Sequence, residues 1–417
     1  MDVDYCKIYD QKIMPESFRG DVPDRRAMKL LHVIRTLDGQ NIGGPSYALM
    51  GILKALAASG QNIECSVACN ALSLGLAEDL TKEFNGAVAF HEFRVAKHYP
   101  FYYSADNANW LRDNVKRFDA VAIHGLWSWP AACAITRSRI DGVPFVIRPA
   151  GSLDPFDLQK KRVAKKLLGN SWLRWASRGG GTIHCTTNLE AERVETYGGR
   201  FRVEVLPLPV PDPLGGWRGS RQEARSSFDI PEDAFVLLFM SRINYKKGLD
   251  ILLPALKELK RSLPGLVFIF AGEGSAGRDD DVMRYVEDEG FGRGTLDWVR
   301  RVGYLSGAGK MRALAASDCF VLPSRNENFG VSVVEAAGAG LALALSSGVY
   351  IAEDFRLKKG AVVLNRTVED WVEGLLRLAQ APEATRAMGI RAREIWTNKY
   401  SAKVLGARYA QFYKMIA

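Results

Sequence analysis

A chain of 417 residues, 47% hydrophobic and 25% charged, has an ordinary globular composition and the length of two or three domains. Its net charge of +9 points either to an anionic partner, such as nucleic acid, acidic lipid or a phosphorylated substrate, or simply to basic residues on solvated faces. Its 6 cysteines show neither a Cys-x2-Cys pair nor a His ladder, which argues against zinc and fits a reducing cytoplasm. The N-terminal stretch 1–26 carries Asp2, Asp4, Asp10 and Glu16 without the apolar core of a secretory signal.

Lys29–Ile34 reads as a first strand, with His32 alternating inside it as a core or loop-end histidine. The loop Thr36–Ser46 carries Gly43-Gly44-Pro45. After it, the spacing of Ala48, Leu49, Ile52, Leu53 and Leu56 predicts a helix over Tyr47–Ser59, stopped by Gly60. Strand, Gly-Gly loop and helix make half of a Rossmann-like unit. Paired glycines let backbone approach a ligand, although Gly-Gly is also common turn punctuation. Ile63–Ala68 and Ala87–Phe93 read as strands and Glu78–Phe84 as a short helix. The aromatic run Tyr99–Tyr103 either lines a pocket or packs a core. Trp110–Arg117 looks helical, and Ala120–Trp127 is a strand ending in His124-Gly125-Leu126-Trp127. That end is where open α/β sheets place ligands.

Pro144–Arg148 is a further strand. Beyond it, Lys160, Lys161, Arg162, Lys165, Lys166, Arg174 and Arg178 face the single nearby acid Asp157. Ala164, Leu167, Leu168, Trp172 and Trp175 recur there at helical spacing. Residues 160–178 therefore suit the surface of an anionic membrane, the alternative being a helix packed on its own domain with a solvated basic face. Thr182–Cys185 reads as a strand, Thr186-Thr187-Asn188 with Glu190 as a helix start, and Val203–Leu206 leads into Pro207–Pro213. Prolines at 207, 209, 211 and 213 suit neither a sheet centre nor a helix, so an interdomain linker is expected here.

Phe235–Met240 is a buried strand, followed by the loop Ser241–Asp250 and a helix through Lys260. Arg242 and Lys247 in that loop can pinch a diphosphate. The strand Leu266–Ala271 runs into Gly272-Glu273-Gly274-Ser275-Ala276-Gly277. This literal Gly-x-Gly-x-x-Gly is not a dinucleotide fingerprint, because Glu273 and the following Asp279, Asp280 and Asp281 would repel a pyrophosphate. Trp298–Tyr304 reads as a short strand with its loop, Ala308–Ala316 as a helix and Asp318–Leu322 as a buried strand. The loop Ser324–Gly330 then opens onto a helix over Val331–Ala337, an arrangement that favours a phosphate. Glu327 lies in the loop, and Glu335 about two turns into the helix. The uncharged run Ala336–Ala352 is at the lower length limit of a membrane span, but its glycines and serines mark helix end, turn, buried strand and loop. Leu341–Leu345 is a buried strand and Ala361–Leu364 an edge strand. Val368–Ala379, Pro382–Tyr400 and Ala402–Ile416 are helices, the last with Leu405, Tyr409, Phe412, Tyr413 and Ile416 on one face. Repeated βα units on either side of a proline-rich break make two Rossmann-like domains.

Gly43-Gly44-Pro45, His124-Gly125, Ser241-Arg242 with Lys247-Gly248, and the Glu-x7-Glu string from Glu327 to Glu335 stand in the order and spacing of retaining GT4 glycosyltransferases. Across roughly residues 29–416 the chain resembles that family. The resemblance implies an α/β fold of the GT-B type, two Rossmann-like domains facing across a cleft. Residues 1–28 would be a tail, 29–206 with the helix 402–416 an acceptor-binding domain, and 207–400 a nucleotide-sugar-binding domain. It further implies transfer of a hexose-type sugar, with retention and without metal or other cofactor, from a UDP or GDP sugar. The acceptor would be lipid-linked or a polysaccharide in cell-envelope or exopolysaccharide assembly. The protein would be cytoplasmic or peripheral at the inner face of the plasma membrane, with no nucleic-acid partner.

By the same resemblance, Arg242 and Lys247 neutralise the leaving diphosphate with help from the amides of Phe329 and Gly330. Glu327 and Asn328 address the transferred sugar, with His124 beside it. Glu335 accepts from ribose hydroxyls, Gly43 and Gly44 approach the phosphate from the other domain, and Tyr304 flanks the base. The sequence departs from the family at Ser241, where a glycine is usual before the donor arginine. It departs again at Gly340-Leu341-Ala342, which lacks a customary proline, and at Leu208-Pro209, in place of Asn-Gly. These departures bear on donor class more than on fold. Competing readings are a sugar phosphorylase or nucleotide-sugar epimerase of the same fold, or a non-catalytic nucleotide-sugar-binding scaffold. The scaffold is disfavoured by the presence of Arg242, Lys247 and Glu327 together.

Overall fold

The apolar runs become two parallel sheets in the computed structural model, which describes residues 26–37, 44–71, 74–95, 102–158, 172–197, 200–275, 277 and 279–417. The first sheet comprises β1 (Met28–Thr36), β2 (Ile63–Ala71), β3 (Val88–Arg94), β4 (Ala120–His124), β5 (Phe145–Arg148), β6 (Thr182–Cys185) and β7 (Arg202–Val205). Their order is β3-β2-β1-β4-β5-β6-β7. The second comprises β8 (Phe235–Met240), β9 (Leu266–Ala271), β10 (Val299–Gly303), β11 (Cys319–Leu322), β12 (Ala342–Ser346) and β13 (Ala361–Leu364), ordered β10-β9-β8-β11-β12-β13. Parallel strands are covered by helices on both faces, so central strands read as unbroken apolar runs. β4, β9 and β11 are buried at every residue, and β13 lies at a sheet edge, as expected.

The chain makes the same turn in both sheets. From β1 the order runs outward to β2 and β3, then returns to place β4 on the other side of β1. From β8 it runs outward to β9 and β10, then returns to β11. Because such crossovers are right-handed, the flanking helices leave to opposite faces and a crevice opens at the strand ends. The two halves thus each present one ready-made binding crevice, between β1 and β4 and between β8 and β11.

Two strands of chain connect the halves, and they run side by side. Val210 N–H donates to the Tyr400 carbonyl at 2.9 Å, and the Trp396 indole donates to the Val210 carbonyl at 3.1 Å. The helix Ala402–Ile416 then returns to the first half and packs against the helix Gly44–Ala58. Its predicted apolar face is real: Leu405, Tyr409, Phe412 and Tyr413 are buried. The Tyr409 hydroxyl donates to the Pro207 carbonyl at 3.1 Å.

Differences from the periodicity lie in helices with weak signals. Trp129–Asp141 is a helix built on small residues such as Ala131 and Ala134, so it shows little amphipathic contrast. Ala105–Asn114 starts five residues before Trp110 because Ser104 caps it, accepting from Asn107 N–H. The acids Asp280 and Asp281 open the helix Asp280–Asp288, where the dipole favours them. The helix from Pro382 closes in one wide turn over Trp396–Tyr400.

Tyr409→Ala is expected to lower stability by about 3–5 kcal/mol through the cavity it leaves. Tyr409→Phe, which keeps the volume and loses the bond to Pro207, should cost about 0.5–1.5 kcal/mol. Denaturant titration of both variants checks the ratio, and equal losses would show that the hydroxyl, not the packing, holds this helix.

Candidate functional site

The crevice between β8 and β11 is narrow because two loops touch there. After β8, Asn244 accepts from Lys246 N–H at 3.0 Å and winds Tyr245–Lys247 into a tight turn. Gly248 follows at φ 68°, and a Cβ added to it would lie 2.2 Å from the Pro323 carbonyl oxygen. Only glycine fits both the conformation and the space. Arg325 N–H completes the seam by donating to the Lys246 carbonyl at 2.7 Å. As a result the Lys247 ammonium donates to the Glu327 carboxylate, although 80 residues separate them.

The Glu327 loop is also supported from the β12 side. Glu327 N–H donates to the Gly348 carbonyl at 2.8 Å, and Tyr350 N–H to the Glu327 carbonyl at 3.0 Å. Phe329 is buried with its ring edge-on to Tyr400, so what it can offer a ligand is its amide. Gly330 begins the helix Val331–Gly338 without a side-chain cap, which leaves open N–H groups at the positive end of the helix. Arg242 is exposed and has no hydrogen-bond or ion-pair partner among the described residues.

Glu335, one helix face further on, is paired with Lys310 at 2.5 Å. Both side chains are mostly buried, 12% and 18% exposed. The Lys310 ammonium also lies 5.3 Å from the ring centre of Tyr47, and the Tyr47 and Tyr304 hydroxyls share a hydrogen bond of 2.6 Å. Burial pushes both phenols above their ordinary range. Tyr47 belongs to the first half and Tyr304 to the second, so this contact spans the cleft. Lys310 and Tyr47 are site residues that sequence reasoning missed. A buried Glu335 implies a counter-cation, but no linear spacing points to a lysine 25 residues away. An open recess of about 530 Å³ lies at the ends of β9 and β10, lined by Glu273, Glu287, Arg293, Arg301 and Gly303 among others.

In the first half, the ends of β1, β4 and β5 are in register, Ile34 opposite His124 and His124 opposite Arg148. His124 is 3% exposed and its contacts lie within this half. Arg148 Nε donates to His124 Nδ1 at 3.1 Å, so His124 must carry its proton on Nε2 and donate to His32 Nδ1, 2.9 Å away. His32 is thereby protonated at Nε2, which has no partner among the described residues. The second arm of Arg148 donates to the Pro45 carbonyl at 2.9 Å. Burial, reinforced by Arg148, lowers His32 to about 3 and His124 well below its ordinary value. Burial likewise takes His184 to about 3. Gly44 starts the helix with nothing within 4 Å of where its Cβ would be, leaving open space before its first turn. Gly43 lies outside the described residues.

The structure therefore brings Lys247 to Glu327 and links Glu335 to Tyr304 through Lys310 and Tyr47. His124 sits at the switch point of the opposite sheet. No group of three or more His, Cys, Asp or Glu that could hold a metal occurs among the described residues. Of the aromatic run, the Tyr102 ring lies under the Arg35 guanidinium and Tyr103 packs at a tilt against Trp129; residues 99–101 lie outside the described set, as do residues 160–171 of the basic stretch. In the remainder of that stretch the Trp172 indole donates to Thr136 at 3.1 Å and Leu173 is buried, whereas Trp175 is 37% exposed. No described helix is long and apolar enough to cross a membrane.

Comparison with known proteins gives consistent matches for both halves. Residues 220–395 match the family model "Glycosyl transferases group 1", and residues 43–209 match "Glycosyl transferase 4-like domain". A D-inositol 3-phosphate glycosyltransferase of Saccharomonospora viridis is 34% identical over 182 residues, 42% of each chain. A glycogen synthase of Mycobacterium tuberculosis is 28% identical over 233 residues, 55% of this chain and 53% of its own. The chain spans about half the length of these curated relatives. Among solved structures, Anabaena Alr3699/HepE in complex with UDP and glucose superposes with a TM-score of 0.73 at 18% identity, over 93% of this chain and 99% of that one. WaaG, a glycosyltransferase involved in lipopolysaccharide biosynthesis, does so with a TM-score of 0.68 at 17% identity, over 92% and 99%. These two likenesses show the GT-B fold.

The buried histidines set a pH dependence. Their folded pKa values lie below the unfolded value of about 6.5, so their stabilising contribution is present above that pH and is lost as pH falls towards about 3. Each ring adds up to about 1.4 kcal/mol per pH unit. Melting temperature should fall steadily from pH 6.5 to 5, and His32→Gln should reduce the slope by one proton's worth. An unchanged slope would mean that His32 is charged in the fold.

Proposed function

The chain belongs to the group 1 glycosyl transferases, and from that premise we propose that it moves a hexose-type sugar from a UDP or GDP sugar to a lipid-linked or polysaccharide acceptor, with retention at the anomeric carbon and without a metal. The observation that carries this reading is the charge arrangement at the β8/β11 crevice. Lys247 and Glu327 form one ion pair there, Lys310 and Glu335 form a second, and Arg242 is unpartnered among the described residues. The fold-sharing HepE was solved with UDP and glucose, which supports a uridine donor. WaaG's part in lipopolysaccharide biosynthesis supports a lipid-linked acceptor.

The chemistry follows from the donor capacities of the groups. A lysine ammonium has three N–H donors. Lys247 can therefore hold Glu327 with one and reach a phosphate oxygen with the others. As the bond between the anomeric carbon and the diphosphate oxygen breaks, its electron pair goes to that oxygen, the acceptor hydroxyl oxygen bonds to the anomeric carbon on the same face, and the acceptor's proton passes to the departing diphosphate. Arg242, Lys247 and the amides of Phe329 and Gly330 meet the developing charge in a fixed, partly dry setting. Glu327 and Asn328 orient the sugar hydroxyls. Glu335, already neutralised by Lys310, takes the ribose diol with its remaining lone pairs, and Tyr304 flanks the base. Gly43 and Gly44 approach the phosphates from the first half. His124 stands beside the sugar as a neutral ring held by Arg148 and His32, a contact surface and not a proton carrier. The exposed Trp175 with Arg174 and Arg178 would touch an anionic bilayer, placing the enzyme at the inner face of the plasma membrane.

A nucleotide-sugar panel should raise the melting temperature with one UDP or GDP sugar, by about 2.7 kcal/mol of stabilisation at a hundred times Kd. Lys247→Ala should remove that shift and lower kcat by about 10²–10³. Unchanged turnover and unchanged donor affinity in Lys247→Ala would overturn the donor site. Conversion of the donor without any acceptor would instead indicate an epimerase. Vesicles containing acidic lipid should co-sediment the protein at low salt, and equal partition to neutral vesicles would remove the membrane surface from this reading.

A further inference from the structure

Glu327 is flanked by two asparagines, and each reaches the opposite half of the molecule. Asn326 Nδ2 donates to Asp154 at 3.3 Å and to the Tyr350 hydroxyl at 2.6 Å. The Tyr350 hydroxyl in turn donates to Asp154, which also pairs with Arg193. On the other side, Asn328 Nδ2 donates to Thr186 Oγ1 at 3.1 Å. The Thr186 hydroxyl itself donates to the Glu190 carboxylate at 2.9 Å. Glu190 is 4% exposed and also accepts from the Thr186 and Gly151 amides at 2.7 and 2.8 Å. One buried carboxylate thus holds Thr186 directly and, through Gly151, whose carbonyl accepts from the Asp154 amide at 3.0 Å, the turn that carries Asp154.

The polarity of this chain is fixed. A carboxylate only accepts, so the Thr186 hydroxyl points its hydrogen at Glu190 and offers its lone pair to Asn328. That sets which way the Asn328 amide faces. The approach is also tight: Gly151, at φ 78°, would place a Cβ only 3.3 Å from the Asn328 Cβ.

We propose that Asp154 and Thr186, braced by Glu190, are positioning residues that set the Glu327 loop from across the cleft, so that the loop reaches its working geometry only with the halves closed. The proposal rests on the reading of Glu327 as the group that orients the transferred sugar. None of the three residues pairs with the diphosphate cations Arg242 and Lys247; Lys247 pairs with Glu327 in its own half, and its neighbour Lys246 is held from the first half by Asp157 at 2.7 Å. Removing the Asp154 or Thr186 contact therefore leaves the direct holds on the Lys247 turn in place, and closure links the second half's donor to the first half's acceptor surface.

The test uses the full-length protein with Thr186→Val, Thr186→Ser and Asp154→Asn. In hydrogen–deuterium exchange without any ligand, backbone amides of residues 324–330 should exchange about fivefold faster in Thr186→Val and Asp154→Asn, with Thr186→Ser close to wild type. With nucleotide sugar and acceptor, kcat should fall about tenfold in the same two variants while donor KM moves less than about threefold. Wild-type exchange in residues 324–330 of both variants would overturn the proposal, as would a Thr186→Ser loss equal to that of Thr186→Val. If the wild-type protein takes no nucleotide sugar, the functional reading fails, and the exchange experiment still decides whether the loop is held from across the cleft.

Discussion

The carbonyl of Pro323 presses against Gly248 at a distance that excludes any side chain, and the organisation of the second half follows from that contact. β8 and β11 are neighbours in the sheet but distant in sequence, and their following helices leave to opposite faces. Their loops meet at the strand ends, backbone against backbone. The meeting delivers Lys247 and Glu327 to one point and leaves the N-terminus of the helix Val331–Gly338 uncovered. A cation, a carboxylate and a row of unpaired amides are then held by main chain, so they need little rearrangement to receive charge.

The first half answers with a different kind of crevice. At the ends of β1, β4 and β5 the polar groups face one another: Arg148, His124 and His32 form a buried chain anchored on the Pro45 carbonyl. Burial, reinforced by the Arg148 guanidinium, disfavours protonation of the imidazoles, so the charge of this wall sits on Arg148. The helix Ala402–Ile416 backs it from the far side, with Tyr413 edge-on to His32. The chain's last element thus stiffens its first crevice. The paired crossings at Val210 and Tyr400 tie the two halves beside that helix.

Across the cleft the halves meet through polar contacts: Tyr47 with Tyr304, Lys246 with Asp157, Asn326 with Asp154 and Asn328 with Thr186. Polar contacts of this kind form and break at small net cost, because water replaces them. Apolar continuity between the halves runs instead through the crossing chains and the returning helix, where Val210, Trp396, Leu405 and Tyr409 belong to one buried cluster with both sheets. The hydrogen-bonded tips set the geometry in which the cleft-facing loops meet.

Strand positions were legible because a parallel strand needs apolar cover on both faces, which writes an unbroken run such as Leu266–Ala271 into the chain; the strand order that makes the two switch points was not. The Glu327 loop and the Arg242 loop were legible for a local reason: each is a short strand-to-helix connection whose glycines and charges sit at fixed offsets. The helix Trp129–Asp141 was not, since its alanines give the periodicity no contrast. Lys310, Tyr47, Asp154, Thr186 and Tyr350 were invisible for a deeper reason. Each matters through a partner on another element, from 24 to 257 residues away, and no rule of spacing links such positions. Local chain chemistry decided which groups this protein carries to its strand ends. Which of them face each other, and that His124 is spent on Arg148 and His32, was decided when two sheets and a returning helix closed around the same space.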